Sequence, residues 1–440
     1  MAERFQALEQ YPELDRELLD RLRAWIESAP DPALFRVNLV PWSAEWDVPL
    51  SKAILHFLHL TRHGVMELSL DVHCPHCNVV LNRASTLKAA QSRHYCQYCL
   101  KDVESKFDDN FEVTFTISGS LRTVKGYVGY EPSSNVEIYL RSKVEPGATT
   151  ELRVEPPAHA RLLRLVSWPP VHVHVAPVEP AGPKDQDLIL PDELPEGITG
   201  VAEGTFTLRV RNTSRVARSL MIENHEMREY EPHEVKPRLS GLQVAIHPAF
   251  EKLFGGDTLS ERESLRIRDI TAAFTDIQGS TAFYEKWGDV RAYNIVRDHF
   301  EILFAEIESR DGVVVKTMGD AVMAAFIHAS DAVGALLAIQ GAMMRFNRDR
   351  KMEDGIFIKS GLHRGSAILV SLNGRNDYFG TTINETSRIQ KLSEANKIVM
   401  SDPVYQSAGV KNILEQARVE SFETRLAGLE KKYTLHRVSA

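Results

Sequence analysis

Positive charge, cysteine and long apolar runs are all scarce in this 440-residue chain. Lys and Arg number 52 against 60 Asp and Glu, a formal net charge of -8, so no global basic character argues for nucleic acid or an anionic membrane surface as a partner. No stretch reaches the uninterrupted apolar length that spans a bilayer, and no membrane association is expected. The opening residues MAERFQALEQYPELDRELL place acids where a secretory signal needs an apolar core, which makes the cytoplasm the expected location. The chain has four cysteines, and in a reducing compartment they are not expected to pair as disulfides. No internal repeat or low-complexity run is visible.

What is there is ordinary globular sequence, long enough to call for two or three domains. Residues 1–72 read as helices followed by a strand, a helical, winged-helix-like segment. Its clearest helix is Ser51 to His63, stopped by Gly64. Only Lys52 and Arg62 give that helix fixed positive charge, which is thin for a DNA-recognition helix. A regulatory or protein-contact role fits it better.

Residues 73–105 hold every cysteine, as CPHC (74–77) and CQYC (96–99) with eighteen residues between. Two such knuckles predict one structural Zn2+ held by Cys74, Cys77, Cys96 and Cys99 in a zinc ribbon. No thioredoxin-like βαβ pattern surrounds either pair, so a redox pair is the lesser reading.

Residues 106–223 change to short alternating strands, a β-sandwich-like domain, with residues 176–197 expected as a long surface loop. His172 and His174 share a strand face there and read as solvated rather than as ligands. Residues 224–267 form a mixed polar linker, the expected transducer between the halves. From 268 to 440 strands alternate with amphipathic helices, an α+β layer pattern.

Three segments of that last region carry chemistry. In FTDIQGST (274–281) a strand ends in Asp276 and turns through Gly279, Ser280 and Thr281 into a helix. Backbone N–H groups at such an opening suit phosphates, and the acid beside them suits a hard divalent cation. KTMGD (316–320) is a hairpin whose Gly319 permits the turn and whose Asp320 leaves it. Two carboxylates at neighbouring strand ends can hold two metal ions. In DYFGTTINETSR (377–388), Asn384 and Arg388 are four apart and share one helix face. A guanidinium there presents a planar fork to phosphate oxygens. Singly, each has an ordinary structural role: Asp276 as an N-cap, Asp320 as a turn acid, Arg388 as a partner of Glu385 or Glu394.

Together and in this order, the three segments resemble the signatures of class III nucleotidyl cyclases, with GLHRG (361–365) fitting as the family's glycine-bounded strand turn. The resemblance covers about the last two-fifths of the chain and implies a ferredoxin-like (βαββαβ) catalytic domain. By it, Asp276 and Asp320, with the Ile277 carbonyl, match the site for two Mg2+ or Mn2+ ions. Lys316 and Asp377 match the base-reading pair, and Asn384 and Arg388 the transition-state residues. Lys316 can only donate and Asp377 only accept, which suits adenine N1 and N6 rather than guanine. The family's guanylate cyclases carry a Glu and a small polar residue instead. The implied function is adenylate cyclase at a homodimer interface, converting ATP to cyclic AMP. Guanylate cyclase and a catalytically silent nucleotide-binding signalling module are the alternatives. One departure is Ala427, where the family often has a phosphate-binding Lys. Arg425, two residues away on the same strand face, is the expected substitute. The front half resembles a module found ahead of some bacterial cyclases, which implies signal transduction through an unknown regulatory ligand or protein there.

Overall fold

The structure is a computed structural model, and it describes residues 1–75, 79–96, 101–124, 138–156, 160–168, 172–191, 200–224, 237–350 and 355–439. The side chains of residues 138, 168, 172–175 and 224 are not among those described, so His172 and His174 lie outside them. No described helix is long and apolar enough to cross a membrane.

The C-terminal elements are β1 (Ser264–Ile277), α1 (Ser280–Trp287), α2 (Asp289–Glu308), β2 (Val313–Met318), β3 (Ala321–Phe326), α3 (Ala329–Asp349), β4 (Ile358–Leu372), β5 (Arg375–Phe379), α4 (Thr381–Gln390), β6 (Lys397–Ser401), β7 (Arg418–Arg425) and β8 (Lys432–Ser439). Their sheet runs β2-β3-β1-β4-β6-β8-β7, with β5 folded back on β4. Only β4 and β6 pair in parallel. The first four strands with their helices make the βαββαβ arrangement that the family resemblance implies.

Strand alternation divides β1 between two cores. Ala273 and Ile277 face α2 and α3, joined there by Val322, Ala324 and Phe326 of β3. The helices answer at helical spacing, with Ile295, Val296, Leu303 and Ile307 from α2 and Val333, Leu336 and Ile339 from α3. Gly312 does not stop α2 by a left-handed turn; Asp311 takes the positive φ of 54°. Gly312 is glycine because a Cβ there would lie 2.2 Å from the Phe326 ring.

The opposite face of β1, with Ile270, Ala272 and Phe274, belongs to a core that runs into the front half. The stretch expected as a polar linker supplies much of it. Residues 225–236 lie outside the described ones, but Leu239, Leu242, Val244, Phe250 and Leu259 are all buried. Leu239 precedes two short helices, Gly241–Ala245 and Pro248–Phe254, Leu242, Val244 and Phe250 sit on them, and Leu259 follows. A capping box between Ser240 and Gln243 starts the first, and the His247 ring caps the second. Polar contacts reinforce the seam: Phe107 N–H donates to the Arg266 carbonyl at 2.8 Å, and Asp108 accepts from the N–H groups of Arg268 and Asp269.

In the front half the helix Leu50–Arg62 is central rather than peripheral, with Arg62 its one exposed residue. Gly64 stops it in a left-handed turn, φ 70°. The strand Met66–His73 that follows lies between Val80–Ala84 and Phe111–Ile117. The strand Phe111–Ile117, grouped by sequence with the β-rich segment, therefore belongs to the helical unit. Beyond it, two sheets pack as a sandwich around Leu163, Leu208, Val210 and Ile222. The expected surface loop at 176–197 is partly strand, since His172–Glu179 and Asp185–Leu190 both pair into those sheets.

Candidate active site

Lys316 and Asp377 meet within one chain. Lys316 projects from β2 and its Nζ donates to Asp377 Oδ2 on β5 at 2.5 Å. The other oxygen, Oδ1, accepts from the Tyr378 N–H at 2.8 Å. Asp377 is buried and Lys316 about a third exposed, so the pair opens to solvent from the lysine side. Tyr378 anchors the strand from below: it is buried in the shared core, and its hydroxyl is pushed well above the usual range by burial and then by nearby Glu251. The adjoining Asn376 Oδ1 accepts from the Leu259 N–H at 3.1 Å.

The two acids stand at neighbouring strand ends. Thr275 pairs with Val322 across β1 and β3, so Asp276 follows the last paired residue of one strand as Asp320 precedes the other. Asp276 Oδ2 is 3.0 Å from Lys359 Nζ, its cross-strand neighbour on β4. Asp320 Oδ2 is buried with no hydrogen-bond partner among the described residues. A buried carboxylate oxygen without a donor is costly unless a cation completes it. Tyr284 on α1 senses that charge, its hydroxyl being raised first by burial and then by Asp320. Gly279 takes φ 67° to open α1, where Ser280 and Thr281 start the helix at the surface.

Asn384 is exposed and Arg388 half-buried on α4. Neither side chain has a hydrogen-bond or ion-pair partner among the described residues. Between them, Glu385 is tied down on both sides, by His363 Nε2 at 2.6 Å and by the Tyr433 hydroxyl. His363 is held on its other nitrogen by Ser401 Oγ at 2.7 Å. Burial lowers the His363 pKa against the opposing pull of Glu385. GLHRG proves to be the middle of the continuous strand β4 rather than a turn. Its glycines let α4 settle on the sheet, because a Cβ at Gly361 would lie 2.4 Å from the Gln390 backbone nitrogen and one at Gly365 2.6 Å from Thr382 Oγ1.

Arg425 is exposed at the end of β7, the sheet edge opposite β2. Of the residues singled out in the sequence, then, Lys316 and Asp377 meet, Asp276 and Asp320 lie at adjacent ends, and Asn384 and Arg388 share α4. No hydrogen bond or ion pair among the described residues joins these three groups to one another. Lys359, His363 and Tyr433 were not singled out in the sequence, and Glu385, read there as an ordinary partner for Arg388, pairs with His363 and Tyr433 instead. Lys359 had one usable signal, a lone charge inside the alternating strand IFIKSGLH.

In the front half, Cys74 and Cys96 are both buried in one small cluster with Val79 and Val103, against Val166 and Met221 of the sandwich. Cys74 N–H donates to the Val79 carbonyl at 2.8 Å. Cys96 ends a strand hairpinned with Lys101–Glu104. Cys77 and Cys99 lie outside the described residues. Among the described residues no three metal-type side chains converge.

Residues 263–437 match the adenylate and guanylate cyclase catalytic domain family, and residues 1–141 match a family of unknown function (DUF5939). An adenylate cyclase of Anabaena cylindrica is 30% identical over 29% of this chain and 28% of its own. The atrial natriuretic peptide receptor 2 of Anguilla japonica is 26% identical over 40% of this chain and 17% of its own. The chain thus spans less than a third of the length of either relative. Among solved structures, the adenylyl cyclase CyaB from P. aeruginosa aligns with 40% of this chain and 96% of its own, at 21% identity and a TM-score of 0.35. Residues 263–437 carry an adenylate/guanylate cyclase catalytic domain.

Proposed function

We propose that the chain is an adenylate cyclase, converting ATP to 3′,5′-cyclic AMP and pyrophosphate in the cytoplasm. The observation that carries this reading is the Lys316–Asp377 pair at 2.5 Å. An ammonium has three donors and a carboxylate about four acceptor sites, so each keeps capacity for a base while touching the other. Adenine presents an acceptor at N1 and a donor at N6, and both are met. Guanine presents a donor and an acceptor there, leaving both side chains mispaired.

Class III cyclases use Mg2+ or Mn2+, and the unpartnered Asp320 oxygen together with Asp276 and the Ile277 carbonyl fits two such ions. When bound, they acidify the ribose 3′-hydroxyl and neutralise the departing phosphates. Lys359, already beside Asp276, orients that carboxylate. Asn384 orients the ribose, and Arg388 offers its fork to the α-phosphate, where charge grows in transfer. Gly279, Ser280 and Thr281 turn backbone N–H groups toward the phosphates, and Arg425 reaches them from the far sheet edge. The three groups are disconnected within one chain, which supports a homodimer in which each site draws on both copies. A structural Zn2+ on Cys74, Cys77, Cys96 and Cys99 would close the small cluster beside the sandwich, and the front half would regulate turnover.

Product analysis with ATP and GTP, each with Mn2+, tests the assignment. Cyclic AMP is expected, and Lys316→Ala should lower kcat/KM for ATP roughly 10- to 100-fold while eroding the preference over GTP. Equal or faster formation of cyclic GMP, or no cyclic nucleotide from either substrate, would overturn it.

A further inference from the structure

A cavity of about 490 Å3 lies between the front-half sheet and the two short helices that precede the catalytic domain. That volume falls in the range of small-molecule sites. Leu68, Leu70 and Val113 wall it on the sheet side, and Val244, Phe250 and Phe254 on the helix side. Two carboxylates lie at its margin, and both are already engaged. Glu67 Oε1 accepts from Ser118 Oγ at 2.8 Å and from Gly119 N–H at 3.1 Å. Asp257 accepts from the N–H groups of Leu87 and Lys88 at 2.9 and 3.3 Å. Among the described residues, no Lys, Arg or His side chain lines the space.

An anionic ligand would meet two negative charges and no cation, whereas an apolar body ending in a hydroxyl or an amine would find acceptors. We propose that this cavity binds an apolar small molecule whose single polar end is uncharged or cationic. Its placement gives such a ligand a short route to the catalytic domain. Phe250 and Phe254 stack with centroids 5.4 Å apart on one helix, Phe250 shares a core with Tyr378, and Leu259 just beyond bonds Asn376, the neighbour of Asp377.

The test is thermal unfolding and titration calorimetry of the full chain, without nucleotide, using submicellar dodecan-1-ol, dodecylamine and dodecanoic acid. The alcohol and the amine should raise the midpoint saturably and the acid should not. Ala245→Trp, which fills the cavity from the helix side, should abolish both shifts. If that variant fails to fold, Ser85→Trp fills it from the opposite wall. No shift with any probe, equal shifts with all three, or shifts that survive the filling substitution would overturn the proposal. Binding is read apart from turnover, so its failure and that of the cyclase assignment are distinguishable.

Discussion

Lys316 and Asp377 partner one another within the chain and, on the proposed reading, still hold spare donor and acceptor capacity for a base. Lys359 pairs likewise with Asp276. Each pairing gives a partly buried charge a partner within the protein. His299 on α2 is the contrasting case, a group kept neutral. It is buried against the Phe300 ring, its Nδ1 faces the Val296 carbonyl at 3.2 Å, and its Nε2 has no partner among the described residues. Burial pushes its pKa down to about 4. The unfolded chain takes up a proton near pH 6.5 that the folded chain refuses. The resulting stability is therefore complete above that pH and drains away as pH falls toward 4. Between pH 7 and 5.5 the loss from this residue is about 1 kcal/mol. In urea unfolding, wild type should lose about 1 kcal/mol relative to His299→Leu between pH 7 and 5.5; parallel curves would remove His299 as a cause.

At the scale of elements, the seating of α4 on β4 decides where Asn384 and Arg388 point. Gly361→Ala would drive a methyl group into the Gln390 backbone, 2.4 Å away. The helix must lift or tilt, at a cost of about 1–3 kcal/mol. We expect a folded protein with a lower melting point and kcat reduced at least 10-fold, since small displacements of reacting groups are expensive. Unchanged kcat would show that the register of α4 is not critical. The motifs themselves were legible in the sequence, because each is local: FTDIQGST, KTMGD and INETSR put their functional residues within a single strand end, turn or helix. GLHRG was misread because its glycines answer α4 residues 17 and 29 positions further along, not a local turn. Asp276–Lys359 was hidden for a similar reason, as a cross-strand pair depends on the β1–β4 register. The front half was less legible still. Phe111–Ile117 pairs with Met66–His73 across an intervening hairpin, and nothing in either strand names its partner.

For the whole molecule, no hydrogen bond or ion pair among the described residues joins Asp276 to Arg388, and the proposed dimer makes a direct prediction about the pair. Asp276→Ala and Arg388→Ala should each be inactive alone. Mixed equally and allowed to exchange, about half the dimers are hybrids with one intact site of two, giving about a quarter of wild-type activity. A mixture as inactive as its components would show that each chain completes its own site or that the copies do not exchange. The same scale explains why the polar-looking stretch before the catalytic region defied reading. Its buried residues, Leu239, Leu242, Val244 and Phe250, are spaced by the needs of two different partners rather than by one helical or strand period.

That wedge of two short helices also governs where the catalytic unit can be cut and grafted. A chimera joined at residue 263 would sever β1 from the apolar groups that cover Ile270, Ala272 and Phe274, leaving a greasy sheet face bare to water. A splice upstream of Leu239 would carry that cover along with the enzyme. Exchange of front halves on this scaffold therefore has a natural crossover point some three dozen residues ahead of FTDIQGST, inside sequence that resembles a mere tether.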